Sequence, residues 1–250
     1  MADKPWETKI AKSSPEETLI RGYDLLELVQ NKNFTQTIFL VLKGELPTKE
    51  EENMLNAILV ACIDHGIAPP SVVATRTVLS GGNPLNTAVG AGVLTLGDAH
   101  GGAIEKCAKL LQDIINEEFD LKEFIENAVK NKVRLPGYGH KIYKDADPRT
   151  TALLKIAKEN GFYGKHVEAA LAVEKTLEET KGKKLIMNVD GAIAAIISEM
   201  GFDYRLGKGF FIISRIVGLT AHAHEEMDEK PFRRLDSSLY QYIGKEKRDI

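Results

Sequence analysis

A glycine-rich stretch at residues 135–149 carries the residue types best suited to chemistry. His140 follows two nearby glycines, and Arg149 follows a proline further along the stretch. Histidine is the side chain whose ordinary pKa suits proton transfer near neutrality, and arginine presents a planar fork that fits a carboxylate. Glycine lets the backbone approach a ligand closely. The stretch therefore predicts a site for a ligand with several negative charges and a proton-transfer group in its middle.

Three other positions suit such chemistry, and each also has a simpler interpretation. His100 lies among glycines at a predicted helix N-terminus, where free N–H groups favour an anion or a neutral imidazole, although a histidine in a plain turn fits as well. Asp190 lies in apolar company at a helix entrance, as a group held for proton transfer or as an N-cap. His65 lies next to a glycine at a helix end, where the helix dipole alone favours it.

Two further features concern charge. Arg215 is the lone charged residue in the apolar run 210–223, so it requires an anionic partner, either an internal aspartate or a ligand. His222 and His224 resemble part of a metal site, but residues two apart do not share a helix face. We therefore predict no metal site.

The elements that must position these residues are predicted to be helices. Serine and proline at residues 14–17 predict a helix start, Asn33 and Thr48 are predicted to begin two more helices, and no stretch has a convincing strand pattern. Further helices are predicted over residues 71–80, 85–97, 121–133, 148–180 with an interruption at 161–164, 192–200 and 210–223, with another after Gly102. The chain is thus expected to be mostly α-helical.

The composition of the chain limits the classes of function that it can have. The chain has 250 residues, 43% of them hydrophobic and 28% charged, as in ordinary globular proteins. Its net charge of −3 argues against nucleic acid as a main partner. We expect no signal peptide at residues 1–4, and no apolar run approaches the ~20 residues of a membrane span. Cys62 and Cys107 are expected to be core residues in a reducing compartment. These features predict a cytoplasmic protein with no membrane partner.

Several motifs together resemble those of the citrate synthase superfamily. The match is specific because the motifs occur in the family's order along nearly the whole chain. They lie at residues 20–23, 44–48, 64–66, 97–102, 137–149, 188–190 and 214–218. The short length resembles citryl-CoA lyase, including the lyase domain of ATP-citrate lyase, since true synthases carry extra helices between the second and third motifs. ATP-citrate lyase has an aromatic residue where this chain has His100, so the mechanism is expected to lie nearer to that of a synthase.

The resemblance implies an all-α, citrate synthase-like fold with a large and a small helical domain. The large domain is expected at residues 1–102 and 208–250, and the small domain at residues 103–207. The resemblance also implies a homo-oligomer, at least a dimer, with the site near the subunit interface.

The resemblance further implies retro-aldol cleavage of citryl-CoA to acetyl-CoA and oxaloacetate, in the tricarboxylic acid cycle or its reductive form. His100, His140 and Asp190 would be catalytic. The substrate carboxylates would be bound by His65, Arg149, Arg215 and Arg234. CoA would be bound by Leu135, Gly137, Tyr138, Gly139, Lys141 and Lys144. No cofactor is expected, because the CoA thioester is itself substrate or product.

Two alternatives stay open. A citrate or 2-methylcitrate synthase shares the carbon–carbon step and differs in hydrolysing the thioester. A non-catalytic CoA-binding module would be free to lose His100, His140 and Asp190, all of which are present.

Overall fold

The computed structural model describes residues 6–116 and 120–249, and within them the chain is mostly helical, so the predicted all-α class is confirmed. The α-helices are α1 (Leu25–Asn31), α2 (Phe34–Lys43), α3 (Lys49–Cys62), α4 (Pro70–Ser80), α5 (Leu85–Leu94), α6 (Ala103–Asn116), α7 (Leu121–Lys130), α8 (Pro148–Glu159), α9 (Lys165–Lys181), α10 (Val189–Glu199) and α11 (Gly207–Glu226). Two 3₁₀ turns lie at Tyr204–Leu206 and Ser237–Leu239. The predicted features of residues 1–5 lie outside the described residues.

The prediction that a helix starts at residues 14–17 is wrong. Three short antiparallel strands occupy this region, β1 (Ala11–Ser13), β2 (Thr18–Ile20) and β3 (Tyr23–Asp24). The Ser14 N–H donates to the Glu17 carbonyl at 2.8 Å and closes the turn between β1 and β2. Serine followed by proline suits a β-turn as well as a helix start, and pairing with a partner strand decided between the two here.

The predicted helix starts at Asn33 and Thr48 are confirmed as capping boxes. The Asn33 side chain accepts from the Gln36 N–H at 2.9 Å, and the Gln36 side chain accepts in return from the Asn33 N–H at 3.1 Å. Thr48 and Glu51 make the same exchange at the start of α3. Each box satisfies two N–H groups that would otherwise lack helical partners.

The chain divides into two compact units. The first contains the residues up to Ile63 together with Gly97–Ser214, and the second contains Asp64–Leu96 together with the residues from Arg215 onward. The sequence predicted a large and a small domain that close over a substrate. These two compact units do not test that division, which stays a prediction.

The core of the first unit is built around α10, which packs against α6, α8 and α9. Residues 191–198 of α10 are all buried, and small alanines alternate with isoleucines along it. Phe202 follows this helix and meets the edges of Phe39 and Phe210, at ring-centroid distances of 5.4 and 5.0 Å. A helix buried on all sides holds the residues at its entrance in fixed positions.

The second unit is built on the α4–α5 pair and a buried ion cluster. Glu226 is 3% exposed and accepts from Arg76 Nε at 2.6 Å and from Arg233 Nε at 2.7 Å. Burial acts to raise the pKa of Glu226, but the hydrogen bonds and charges of the two arginines outweigh it and lower that pKa. The Phe232 N–H also donates to the Ser80 carbonyl at 2.7 Å, so the segment after α11 is tied to α4.

Several helix ends differ from prediction. The helix predicted over 85–97 ends at Leu94, the helix predicted over 121–133 ends at Lys130, and α11 extends beyond 210–223 at both ends. Both cysteines are buried, as predicted. None of the helices in the described ranges is long and apolar enough to span a membrane.

Candidate active site

The loop that carries His140 is held against the segment that enters α10. The Gly139 N–H donates to the Ile186 carbonyl at 2.7 Å, and the Asn188 N–H donates to the Gly137 carbonyl at 3.0 Å. These bonds flank an antiparallel bridge between Tyr138 and Met187. The predicted catalytic loop and the predicted catalytic aspartate therefore lie on two paired segments of one unit.

Gly137 is needed at its position for two reasons. Its φ is +85°, which favours glycine. A Cβ at this position would lie 2.7 Å from Cys107 Sγ and 2.8 Å from Gly191 Cα, so the loop packs directly on the first turn of α10. Burial raises the pKa of the Cys107 thiol, and the charge of Asp190 adds to this effect.

The hydrogen bonds of His140 fix its ring. Its Nδ1 accepts from the backbone N–H groups of Ile142 and Tyr143, both at 3.1 Å, and its ring stacks on that of Tyr143 at 4.6 Å. Because Nδ1 is an acceptor, the neutral ring carries its proton on Nε2. His140 is therefore arranged to donate from Nε2 to an oxygen of a ligand.

Arg149 lies beside His140 and is oriented by Asp147. Arg149 Nη2 is 3.4 Å from His140 Nε2 and 2.8 Å from Asp147 Oδ2, and Arg149 Nε donates to Asp147 Oδ1 at 3.1 Å. Burial acts to lower the pKa of Arg149, but the bonds to Asp147 and the charges of Asp147 and Asp190 outweigh it and raise that pKa. A guanidinium fixed on one edge in this way can receive a carboxylate on another.

Asp190 lies in the first turn of α10 and does not cap it. The cap is Asn188, whose Oδ1 accepts from the N–H groups of Asp190 and Gly191 at 3.0 and 3.2 Å. The alternative interpretation of Asp190 as an N-cap is therefore wrong. Its half-buried carboxyl group acts electrostatically on both Arg149 and Cys107, which associates it with the His140 loop.

His100 belongs to the same unit and lies in the turn before α6. Its N–H donates to the Gly97 carbonyl at 3.0 Å, and its ring meets the edge of the Phe211 ring at 5.8 Å. Gly101 has a φ of +84°, and a Cβ there would come within 2.7 Å of Phe211. The predicted setting among glycines before a helix is thus present.

The residues predicted to bind CoA share the His140 loop but differ in exposure. Lys141 and Lys144 are exposed, and Lys144 Nζ donates to the carbonyls of His140 and Lys141 at 3.3 and 3.1 Å. Leu135 is half-buried. The Tyr138 hydroxyl donates to the Ala170 carbonyl at 2.9 Å, and burial raises its pKa. Tyr138 therefore anchors the loop to α9, whereas the two lysines offer positive charge at the surface.

Three predicted substrate-binding residues belong to the second unit. His65 is exposed and follows Asp64, whose Oδ1 is 3.1 Å from His222 Nε2. Arg215 is 4% exposed within α11. The exposed Arg234 guanidinium lies over the Phe232 ring at 4.9 Å. The described residues contain no group of His, Cys, Asp and Glu arranged to hold a metal ion.

Two residues of the site were missed by the sequence prediction. Asp147 is fully buried and links Arg149 to the Val189 N–H, which donates to its Oδ2 at 3.2 Å. Asn188 links the start of α10 to the loop. Both residues lie within motifs of the family resemblance, at residues 137–149 and 188–190, but each residue type by itself carries only the signal of an ordinary helix cap.

The fold and this loop define the class of protein as citrate synthase-like. The family profile described as "Citrate synthase, C-terminal domain" matches residues 49–235, and the chain belongs to this family. The predicted resemblance and the predicted fold are thereby confirmed.

Individual relatives differ in the length that they share. A solved structure of citryl-CoA lyase from Hydrogenobacter thermophilus is 50% identical, with a TM-score of 0.93, and the match covers 99% of this chain and 98% of that one. Citrate synthase from Haloferax volcanii is 30% identical over 92% of this chain, and ATP-citrate synthase beta chain protein 2 from Arabidopsis thaliana is 30% identical over 74% of it. The chain spans only 60% and 32% of these two curated relatives.

Proposed function

We propose that this protein is a citryl-CoA lyase that cleaves citryl-CoA to acetyl-CoA and oxaloacetate. The observation that carries the proposal is the 50% identity, over nearly the full length of both chains, to a protein described as citryl-CoA lyase. The arrangement of His140, Arg149 and Asp190 around one loop supports it, since the reaction needs proton transfer beside a bound carboxylate.

Cleavage breaks the bond between the acetyl methylene carbon and the carbon that bears the hydroxyl group. The hydroxyl oxygen becomes the ketone oxygen of oxaloacetate. Its proton passes to solvent water as the carbon–carbon bond breaks, and the negative charge that develops on the oxygen must be stabilised. His140 is proposed to contact this oxygen, because its Nδ1 is occupied by two backbone N–H groups and its Nε2 carries the proton. Arg149, held by Asp147, is proposed to bind an adjacent carboxylate.

The acetyl-CoA half needs a second pair of groups. Charge develops on the thioester oxygen as the enol forms, and a positioned hydrogen-bond donor stabilises it. We assign this role to His100. Asp190 is proposed to deliver the proton to the methylene carbon, since it lies at the buried start of α10 beside the loop.

The remaining binding roles follow the family resemblance. His65, Arg215 and Arg234 are proposed to bind substrate carboxylates, with Arg234 contributed by a neighbouring subunit of a homo-oligomer. The CoA moiety is proposed to lie along the loop, near Leu135 and the backbone of Gly137, Tyr138 and Gly139, with Lys141 and Lys144 at its phosphates. The proposed cleavage uses protein side chains, with the CoA thioester as substrate.

Citrate synthase is the second candidate. The match to the Haloferax volcanii citrate synthase over 92% of this chain favours it. A synthase forms the same carbon–carbon bond in the reverse direction and then hydrolyses the citryl thioester. The two functions therefore differ in the fate of citryl-CoA.

One experiment separates these functions. The pure protein is incubated with citryl-CoA, and oxaloacetate, acetyl-CoA, citrate and free CoA are followed over time. A lyase yields oxaloacetate and acetyl-CoA in equal amounts. A second mixture contains the protein with acetyl-CoA and oxaloacetate. Release of free CoA and citrate in either mixture would favour the synthase function over the lyase function. Absence of turnover in both mixtures would refute both functions.

A further inference from the structure

Asn188 contacts both segments that carry proposed proton-handling groups. Its Oδ1 accepts from the N–H groups of Asp190 and Gly191 at 3.0 and 3.2 Å. Its Nδ2 donates to the Gly139 carbonyl at 2.9 Å. That carbonyl belongs to the peptide group joining Gly139 to His140. One side chain therefore reaches from the residue before His140 to the backbone of Asp190.

The orientation of the Asn188 amide is determined by these partners. Oδ1 faces two N–H donors, and Nδ2 faces a carbonyl acceptor. A flipped amide would place a donor against two donors and an acceptor against an acceptor, so only one orientation satisfies all three bonds. Asparagine at this position is thus a cap and a donor at the same time.

The peptide group held by Asn188 has little other restraint from its own residue type. Gly139 has a φ of +86°, and a Cβ there would meet nothing nearer than 3.7 Å, so local packing does not fix its conformation. The Gly139 N–H is bound to Ile186, which restrains one side of the residue. The bond from Asn188 restrains the other side, on which the chain continues to His140.

We propose that Asn188 is a positioning residue that couples the orientation of the His140 loop to the helix turn bearing Asp190. The inference rests on the proposed function, since it assigns the two coupled residues their catalytic roles. Serine and aspartate also cap helices well, but serine is too short to donate to the Gly139 carbonyl, and aspartate would present a negative oxygen to it. Asparagine combines both contacts.

Asn188→Ser and Asn188→Asp separate the two contacts, because both substitutions keep a capping oxygen and remove the Nδ2 donor. The matched control is Asn33→Ser. Asn33 also caps a helix of the same unit with Oδ1 and donates from Nδ2, in its case to Glu52 at 2.7 Å, but it lies outside the His140 loop and the α10 turn.

We expect kcat for citryl-CoA cleavage to fall about 10- to 100-fold in Asn188→Ser, as for modest misplacement of reacting groups. KM should rise by a smaller factor than kcat falls, because Arg149 and the other groups proposed to bind the carboxylates lie outside residues 139–143, and only the proposed CoA contacts of the loop are loosened. The loss should be larger in Asn188→Asp, which adds a charge beside Asp190. Asn33→Ser should retain the wild-type kcat. A kcat for Asn188→Ser within twofold of that of Asn33→Ser would overturn the proposal.

Hydrogen exchange measured by mass spectrometry supplies a readout that does not need activity. In Asn188→Ser, amides of residues 139–143 should exchange faster than in the wild type, while amides within α10 keep their protection. Equal exchange of the loop in both proteins would overturn the coupling, and so would loss of protection throughout α10, which indicates a cap alone. If the wild type fails to cleave citryl-CoA, the proposed function fails, and the exchange result still decides whether Asn188 couples the two segments.

Discussion

The buried carboxylate of Asp147 holds Arg149 and the start of α10 together. Asp147→Asn is the smallest substitution that tests its contribution to stability. Asparagine caps helices as well as aspartate does, and its Oδ1 can still accept from the N–H and Nε of Arg149, now at 3.0 and 3.1 Å. Its Nδ2, however, would face Arg149 Nη2 and the Val189 N–H, which are both donors. Two hydrogen bonds are therefore lost.

The expected destabilisation follows from the burial of these donors. A buried donor left without a partner costs about 1–3 kcal/mol. Val189 is buried, whereas the Arg149 side chain is 28% exposed, so water replaces part of its lost bond. We expect the free energy of unfolding to fall by about 2–4 kcal/mol. Breaking a fully buried ion pair costs slightly more, about 3–5 kcal/mol.

The chain contains a matched control in Asp203. It accepts from the N–H and Nε of Arg205, both at 2.9 Å, with the same spacing as Asp147 and Arg149. The Arg205 side chain is 73% exposed, and exposed pairs contribute little to stability. Asp203→Asn should therefore destabilise the protein much less than Asp147→Asn does.

Urea unfolding at pH 7 and near pH 3 is the assay, with midpoints compared at equal slope. Burial acts to raise the pKa of Asp147, but the hydrogen bonds from Arg149 outweigh it and hold that pKa below its ordinary value of 3.8. A carboxyl group with a lowered folded-state pKa contributes stability above its unfolded-state pKa and loses it as the pH falls through the folded-state pKa. The difference between wild type and variant should thus shrink below about pH 4. A loss under about 1 kcal/mol at pH 7, or one equal to that of Asp203→Asn, would refute the reasoning.

Three further perturbations test separate parts of the site. Asp190→Asn should keep its urea midpoint but lower cleavage by about 10²–10⁴-fold; activity within a few-fold of wild type would remove Asp190 from catalysis. Oxaloacetate at a hundredfold excess over Kd should stabilise the folded protein by about 2.7 kcal/mol and so raise its melting temperature. Arg149→Met should abolish this rise, whereas the control Arg205→Met should keep it. Gly137→Ala should lose about 1–3 kcal/mol of stability to overpacking, in addition to the cost of a positive φ. Gly161→Ala has open space around it and should lose only the cost of a positive φ. Equal urea midpoints for the two variants would contradict the packing argument.

The sequence predicted those elements whose signals are local. The capping boxes at Asn33 and Thr48 lie within four residues of chain, so their hydrogen bonds depend on near neighbours alone. The hairpin at residues 11–20 was missed because its register depends on pairing between strands. A serine and a proline cannot by themselves distinguish a turn from a helix start.

The same distinction applies to the site. The glycines and the histidine of residues 137–140 predict a ligand-binding loop because these residue types are seldom found together, and that role stays a prediction. Asp147 and Asn188 carry the common signal of a helix cap, and their second contacts join positions 42 and 49 residues apart. Such long-range contacts are set by packing of the whole unit and leave no local pattern.

The position of Cys107 under the loop has a practical consequence. Its thiol is fully covered and in contact range of Gly137, and its raised pKa keeps it protonated at neutral pH. The thiolate is the form that attacks thiol reagents, so modification requires the structure that covers Cys107, which includes the loop, to open first. The rate at which Cys107 is labelled, resolved from Cys62 by peptide mapping, would then report the frequency of this opening. Cys107 can thus serve as an intrinsic reporter of opening at the site, without an introduced probe.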